Sequence, residues 1–191
     1  SPKMVFVTPS HQYPLGVHLS LARRQALLSL ARRHQSWIVE DDYDSEFRFS
    51  GQPHPSLQGL EADAPVIYMG TFSKTLYPAL RIGYMVVPKP LAQPLRIAAA
   101  ELYRGGHLLI QRALAEFIRL GHYMEHIRRM RLLYRQRRQF LCRLIERYLG
   151  PAFLPAFNHE AGLHLVIPLP AGADDVAIAA EALKRGVKVR P

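Results

Sequence analysis

The chain has 191 residues, of which 49% are apolar and 21% are charged, and its formal net charge is +10. This composition is typical of a folded soluble protein and excludes an intrinsically disordered chain. No apolar run is long enough to cross a membrane, no signal peptide is recognisable, and the single cysteine, Cys142, cannot form an internal disulfide. We therefore expect a protein of the reducing cytoplasm.

Short apolar runs in the first half of the chain predict a sheet. Residues 5–7, 38–40 and 66–69 are predicted to form neighbouring core strands, and residues 82–87 are predicted to return along the same sheet. Between the first two runs, residues 19–34 have apolar side chains at helical spacing. Strands that alternate with helices predict an α/β fold with a mostly parallel sheet and helices on both faces.

The second half of the chain is predicted to be mainly helical. Pro88, Pro90 and Pro94 are expected to separate the sheet from two long helices at residues 95–120 and 122–149. We expect Gly105-Gly106 to interrupt the first helix and Gly150-Pro151 to end the second. Strand-like runs at 163–167 and 187–189, together with a helical run at 174–185, predict a small α+β domain.

The segment after the third predicted strand has the composition of a phosphate site. Thr71, Ser73 and Arg81 follow Gly70, where the strand is predicted to end. Ligands usually bind at the carboxyl edge of an open α/β sheet, and hydroxyls with an arginine suit a dianionic phosphate. Lys74, if partly desolvated beside these cationic groups, would favour the neutral amine that reacts with an aldehyde. The implied cofactor is pyridoxal 5'-phosphate; the alternative is a solvated lysine in a surface turn.

The segment after the second predicted strand is acidic. Asp41 precedes Tyr43 by two residues. A carboxylate at this position would keep the nitrogen of a pyridine ring protonated, and the phenol could hydrogen-bond the ring oxygen. An alternative is a magnesium or calcium site, although the spacing lacks the glycine and the layout of a calcium loop. Its oxygen ligands would be Asp41, Asp42, Asp44 and Glu46.

Four phrases of the sequence carry a family resemblance: TPSHQYPLG, EDDYDSEFR, GTFSKTLYPALRIGY and QRALAEFIRLGHYMEHIRRMRLLYRQRR. They resemble fold-type I pyridoxal-phosphate proteins, specifically the aminotransferase-like domain of MocR-type regulators in the GntR superfamily. The resemblance implies that Lys74 forms the internal aldimine. It also implies Ser73 and Arg81 as phosphate ligands assisted by Thr71, Asp41 as the partner of the pyridine nitrogen, and Tyr43 as the partner of the ring hydroxyl.

The chain departs from ordinary aminotransferases at two points. Those enzymes usually space the aspartate and the tyrosine by three residues rather than two, so Glu40 or Asp42 is the alternative to Asp41. The usual Asn-Pro-Thr-Gly turn is replaced by residues 13–16, Tyr-Pro-Leu-Gly. His11, Gln12 or Tyr13 would then substitute for the asparagine that contacts the ring oxygen.

The resemblance also implies the organisation of a longer protein. Residues 1–121 would be the C-terminal part of the cofactor-binding large domain with a connecting helix, and residues 122–191 a long helix with an incomplete small domain. An N-terminal winged helix would bind DNA, the protein would be a homodimer, and an amine or amino acid would be its effector. The alternative is an active aminotransferase that moves an amino group between an amino acid and a 2-keto acid. Arg190 is the late candidate for holding a substrate carboxylate.

Arginines are concentrated between residues 128 and 147. Apolar residues recur at helical intervals in the same stretch, so most of these arginines are expected on the opposite face of an amphipathic helix. That face is interpreted as solvated; the alternative is contact with an acidic partner, a second subunit or DNA.

Overall fold

The computed structural model describes residues 2–52, 54–155 and 161–191, and a four-stranded sheet forms its centre. The strands follow one another across the sheet in chain order. They are β1 (Met4–Val7), β2 (Trp37–Asp42), β3 (Val66–Thr71) and β4 (Gly83–Val86). β1, β2 and β3 are parallel, whereas β4 pairs antiparallel with β3. The predicted strands and the return of the fourth are confirmed.

The parallel pairing places the ends of β1 and β2 at one edge of the sheet, since Val7 pairs with Glu40 and Asp42 pairs with Gly70. Successive side chains of a strand point to opposite faces. Asp41 therefore lies on the face opposite to Glu40 and Asp42. This alternation divides three consecutive carboxylates between two environments.

One face of the sheet is covered by α1 (Leu21–Arg33) and α2 (Leu57–Leu60). Ser20 begins α1 as an N-cap, and its hydroxyl accepts a hydrogen bond from Arg23 N. The core on this face is a buried cluster of Leu28, Ala31, Ile38, Leu57, Ala64 and Val66. Val7 and Leu27 pack against the cluster. On the other face, Met4 and Phe6 are exposed.

Three helices follow the sheet: α3 (Lys89–Tyr103), α4 (Leu108–Arg119) and α5 (His122–Leu149). The predicted interruption at Gly105-Gly106 is confirmed, because Arg104 and Gly105 both have positive φ. The predicted start at residue 95 is wrong. Pro90 lies in the first turn, where its missing N–H would have no helical partner, and Pro94 is accommodated inside the helix. Within the described part of the chain, no helix combines the length and apolarity needed to span a bilayer.

The region after α5 forms less sheet than predicted. Gly150 ends α5, and α6 (Asp175–Lys184) begins at Asp174, whose carboxylate accepts from Ala177 N at 2.9 Å. The strands predicted at 163–167 and 187–189 are wrong: the described residues there join no ladder, and one isolated bridge links Ala161 to Arg48. A β-branched run without a neighbouring strand cannot satisfy its backbone groups by sheet pairing.

A second buried cluster joins α5 to the segment that follows β2. Phe47 and Phe49 pack with Ile127 of α5, and Tyr134 contacts the Phe47 ring edge-on. Gly162 N donates to Phe47 O at 2.9 Å. Gly162 has a φ of +78°. A Cβ on it would lie 1.9 Å from Cε1 of His11, so this close approach requires glycine.

Replacing Gly162 by alanine should destabilise the protein through both the backbone and the His11 contact. Gly172 is a matched control, because its φ is +83° and a Cβ there would meet nothing within 4 Å. Gly172→Ala should reduce the free energy of unfolding by about 1 kcal/mol, the cost of a left-handed conformation. Gly162→Ala should reduce it by at least about 3 kcal/mol, because the His11 hydrogen bond is also displaced. Urea denaturation would measure the free energy of unfolding of both variants. Equal losses in the two variants would contradict the steric argument.

Candidate functional site

A large cavity of about 980 Å³ lies at the carboxyl ends of β1 and β2. Asp41, Tyr43 and Lys74, which were predicted for a shared site, all line it. The remaining walls come mainly from β1, the 8–19 loop and Arg23 of α1. Thr71, Ser73 and Arg81 are not among its lining residues. The structure therefore brings together the residues predicted for the ring and the amine. The residues predicted for the phosphate lie outside the lining, although Ser73 is the sequence neighbour of Lys74.

The carboxylate of Glu40 is occupied away from the large cavity. It accepts hydrogen bonds from Leu57 N at 2.9 Å and Gln58 N at 3.1 Å, at the start of α2. It also lies 3.7 Å from Nη1 of Arg24, and both side chains are buried. Negative charge is favourable at a helix N-terminus and beside a guanidinium. Glu40 is thus a structural group that fixes α2 and α1 to the sheet.

Asp42 is also occupied on that face. Its carboxylate accepts from the Tyr68 hydroxyl at 2.9 Å and from Ser45 N at 3.2 Å. Of the three consecutive acids, only Asp41 lines the large cavity. The alternatives Glu40 and Asp42 are therefore not supported by the geometry. Burial raises the pKa of Asp41, and the nearby Asp42 raises it further. Because burial disfavours the free carboxylate, a protonated ring nitrogen beside Asp41 would stabilise its charged form.

Tyr43 lines the large cavity but already uses its proton. Its hydroxyl donates to the carbonyl of His11 at 2.6 Å. Burial raises the pKa of the Tyr43 phenol, and Asp44 and Asp41 raise it further, so the phenol stays neutral. A ring oxygen that needs a donor would have to take this hydrogen bond from the His11 carbonyl.

Residues 71–81 form a loop that is closed at its base. Thr71 pairs with Gly83, and Phe72 N donates to Ile82 O at 3.1 Å. Ser73 N donates to the Thr71 hydroxyl oxygen at 3.1 Å. Arg81 adopts a left-handed conformation with φ of 52° at the end of a short 3₁₀ turn (Pro78–Leu80). The loop thereby returns Arg81 to the end of the strand from which Thr71 and Ser73 depart.

The donors of this loop are uncommitted. In residues 2–52, 54–155 and 161–191, the Ser73 hydroxyl, the Lys74 amine and the Arg81 guanidinium have no hydrogen-bond or ion-pair partner. Such a set can bind a phosphate without breaking protein contacts. The desolvation expected for Lys74 is not observed, because its side chain is exposed. The open side of the large cavity leaves that amine in contact with solvent.

The 8–19 loop presents Gln12 and Tyr13 to the large cavity and withdraws His11. His11 is buried, and its Nδ1 lies 3.0 Å from Oδ2 of Asp44. Of the three residues predicted to substitute for the asparagine of ordinary aminotransferases, Gln12 and Tyr13 line the large cavity and His11 does not. Arg190 donates to the Tyr13 hydroxyl at 2.9 Å, so this late arginine reaches a residue of the cavity wall.

The four acids do not form the alternative metal site. In the described part of the chain, Asp44 alone among them belongs to a cluster of possible metal ligands, together with His11 and His164. Asp44 also accepts from Leu163 N at 3.2 Å. Asp41 and Asp42 lie on opposite faces of β2, so their carboxylates do not converge.

The sequence analysis missed the role of two arginines at the start of α1. Arg23 lines the large cavity. Arg24 is fully buried and donates to the carbonyls of Leu19 at 2.9 Å, Pro55 at 3.1 Å and Pro9 at 2.7 Å. It therefore holds both ends of the 8–19 loop. Helical spacing alone does not show which arginine of α1 is buried, and no local pattern distinguishes Arg24 from its neighbour.

The fold and the large cavity define the class of protein. A crystal structure of Pyrococcus horikoshii kynurenine aminotransferase, in complex with PMP, matches 99% of this chain and 46% of that chain, with a TM-score of 0.86 and 32% identity. The fold is thus that of the pyridoxal-phosphate-dependent aminotransferases, and this chain corresponds to about half of the matched structure.

The profile of the family "Aminotransferase class I and II" matches residues 1–191, and the chain belongs to this family. It is 44% identical over its full length to the probable rhizopine catabolism regulatory protein MocR of Rhizobium meliloti, of which it covers 38%. It is 43% identical to the HTH-type transcriptional regulator YdeL of Bacillus subtilis, of which it covers 41%. The chain thus spans about two fifths of the length of these relatives.

Proposed function

We propose that this chain is the cofactor-binding part of a transcription regulator and that it holds pyridoxal 5'-phosphate in the large cavity. The observation that carries the proposal is the presence of Asp41, Tyr43 and Lys74 in one cavity. Ser73 and Arg81, assisted by Thr71, would hold the phosphate, since their donors are uncommitted and lie on one closed loop. The donor set fits the cofactor: an amine, phosphate ligands, and a carboxylate at the ring position.

Each residue has a defined task toward the cofactor. When bound, pyridoxal phosphate supplies an aldehyde and an electron-withdrawing ring. Lys74 Nζ would attach to it covalently, releasing one water molecule, and Asp41 would hold a proton on the ring nitrogen. Tyr43 would exchange its bond to the His11 carbonyl for one to the ring oxygen, while Gln12 and Tyr13 would border the ring.

The regulator role is supported by the similarity of this whole chain to part of two HTH-type regulators. In the whole protein, we propose that a separate N-terminal domain binds DNA and that an amine or amino-acid effector acts at the cofactor. Residues 1–121 would belong to the large domain and residues 122–191 to the long helix and small domain. The junction would then fall at Gly121, between α4 and α5. A second copy of the protein would cover exposed apolar residues of α3 and α4 such as Leu102 and Leu109.

The alternative function is amino transfer, which the match to a kynurenine aminotransferase favours. Lys74 would then also move a proton between the substrate α-carbon and the cofactor. Arg190 would be the late arginine that holds a substrate carboxylate, because it contacts Tyr13 at the cavity wall.

The two functions can be separated with the full-length protein and DNA from its own promoter. We expect the DNA affinity, measured by fluorescence anisotropy, to change at least tenfold when pyridoxal phosphate and an active amine are present, which is about 1.4 kcal/mol of coupling. Lys74→Ala should abolish the response without changing DNA binding in the absence of cofactor. If the DNA affinity does not change with pyridoxal phosphate or any amine, and the protein forms keto acid continuously, the regulator proposal is wrong and the aminotransferase alternative is favoured.

A further inference from the structure

A second cavity, of about 300 Å³, lies between α5 and the segment after β2. We call it the arginine pocket. Its described lining residues are Arg48, Phe49, Arg128, Arg131, Leu132 and Arg135. None of them lines the large cavity. The arginine pocket is therefore a separate feature from the proposed cofactor site.

Two elements position the arginines. Residues 128, 131 and 135 are spaced by three and four positions on α5, so they lie on one face of that helix. Arg48 comes from the segment after β2, where its backbone bridges to Ala161 and its neighbours Phe47 and Phe49 are buried against α5. Arg131 Nε donates to the carbonyl of Glu46, which ties the helix to the same segment. The four arginines thus line one pocket from a packed helix and from a packed strand-like segment.

The arginine pocket has an excess of cations. Elsewhere in the chain, Arg32, Arg119 and Arg185 each form an ion pair with a glutamate. By contrast, the described residues that line the pocket include no acid, and Glu46, whose carboxylate interacts with Arg131, lies outside the lining. The Arg48 Nε atom is buried and has no acceptor in the described part of the chain. A buried donor without an acceptor destabilises the protein, and a charged one does so more strongly, so an anion that accepts from Arg48 Nε would remove this penalty.

The charge and the size of the arginine pocket indicate the ligand. The planar fork of a guanidinium matches a phosphate group through two parallel hydrogen bonds. Four arginines exceed the charge of one phosphate, and a volume of 300 Å³ is at the lower end for small-molecule sites and exceeds the needs of one phosphate. We propose that the arginine pocket binds a small molecule that carries two phosphate groups.

The probe for this site is inorganic diphosphate, titrated calorimetrically into the full-length protein at fixed salt concentration. We expect saturable binding with one site per chain. Arg128 and Arg135 are exposed, so replacing both by alanine should not disturb the fold, and thermal unfolding would verify this. The double variant should bind about 100-fold more weakly, since each charge-assisted hydrogen bond contributes about 1.5 kcal/mol or more. Arg143→Ala is the matched control, because it removes an exposed arginine of α5 outside the pocket, and it should change affinity less than twofold.

Three results would overturn the proposal. The first is the absence of saturable binding to the wild-type protein. The second is an equal loss of affinity in Arg143→Ala and in the double variant, which would indicate general attraction to a basic helix. The third is displacement of diphosphate by a DNA duplex of unrelated sequence whose binding requires Arg128 and Arg135. That result would show that the pocket binds the DNA backbone.

Discussion

Replacing Lys74 by alanine is expected to abolish the visible absorption band that pyridoxal phosphate gives when it is bound covalently to the full-length protein. The reason is that the large cavity offers one lysine, Lys74, for the reaction with the aldehyde. Dialysis should then remove the cofactor from the variant and not from the wild type. Absorbance before and after dialysis would measure both effects.

Two variants provide controls for the Lys74 experiment. Lys89→Ala removes an exposed lysine at the start of α3, outside the large cavity, and should retain the full band. Arg81→Ala should retain the band but weaken cofactor affinity by about 10- to 100-fold, the effect of losing one charge-assisted hydrogen bond. A band that persists in Lys74→Ala would refute the assignment of the attachment site, and an unchanged affinity in Arg81→Ala would refute the phosphate loop.

Replacing the buried Arg24 by methionine is expected to destabilise the protein more than replacing any other arginine of α1 by methionine. The substitution leaves the buried Glu40 carboxylate without its guanidinium partner and leaves the carbonyls of Leu19 and Pro55 without the donor that Arg24 supplies. Breaking a buried ion pair from one side costs about 3–5 kcal/mol. Urea denaturation should show a loss of this size in the free energy of unfolding.

Arg23→Met is the matched control for Arg24, because the two residues are adjacent and Arg23 is exposed. Its effect on stability should be within about 0.5 kcal/mol. Since Arg24 holds both ends of the 8–19 loop, Arg24→Met should also weaken cofactor binding in whatever fraction remains folded. Equal stability of the two variants would show that the buried network around Glu40 contributes little.

The succession of strands and helices was largely predictable because its signals are local. Apolar runs located β1, β2 and β3, and helical spacing located α1, α5 and α6. The wrong predictions also came from local signals. Prolines were interpreted as breaks, although Pro90 occupies a first helical turn, and the run at 163–167 had strand composition but no neighbouring strand in the described structure. Sheet formation depends on a partner, which composition cannot supply.

The sequence by itself determined the residue types of the candidate site. They are one lysine, hydroxyls and an arginine at and after the end of β3, and acids with a tyrosine at and after the end of β2. Only the tertiary structure decided which of them meet. The alternation of β2 directs Asp41 into the large cavity, while Glu40 pairs with Arg24 and Asp42 with Tyr68. Likewise, the converging arginines of the pocket come from positions 48 and 128–135, which are distant in sequence. Burial and pairing depend on neighbours brought together by folding, and a linear pattern records only local spacing.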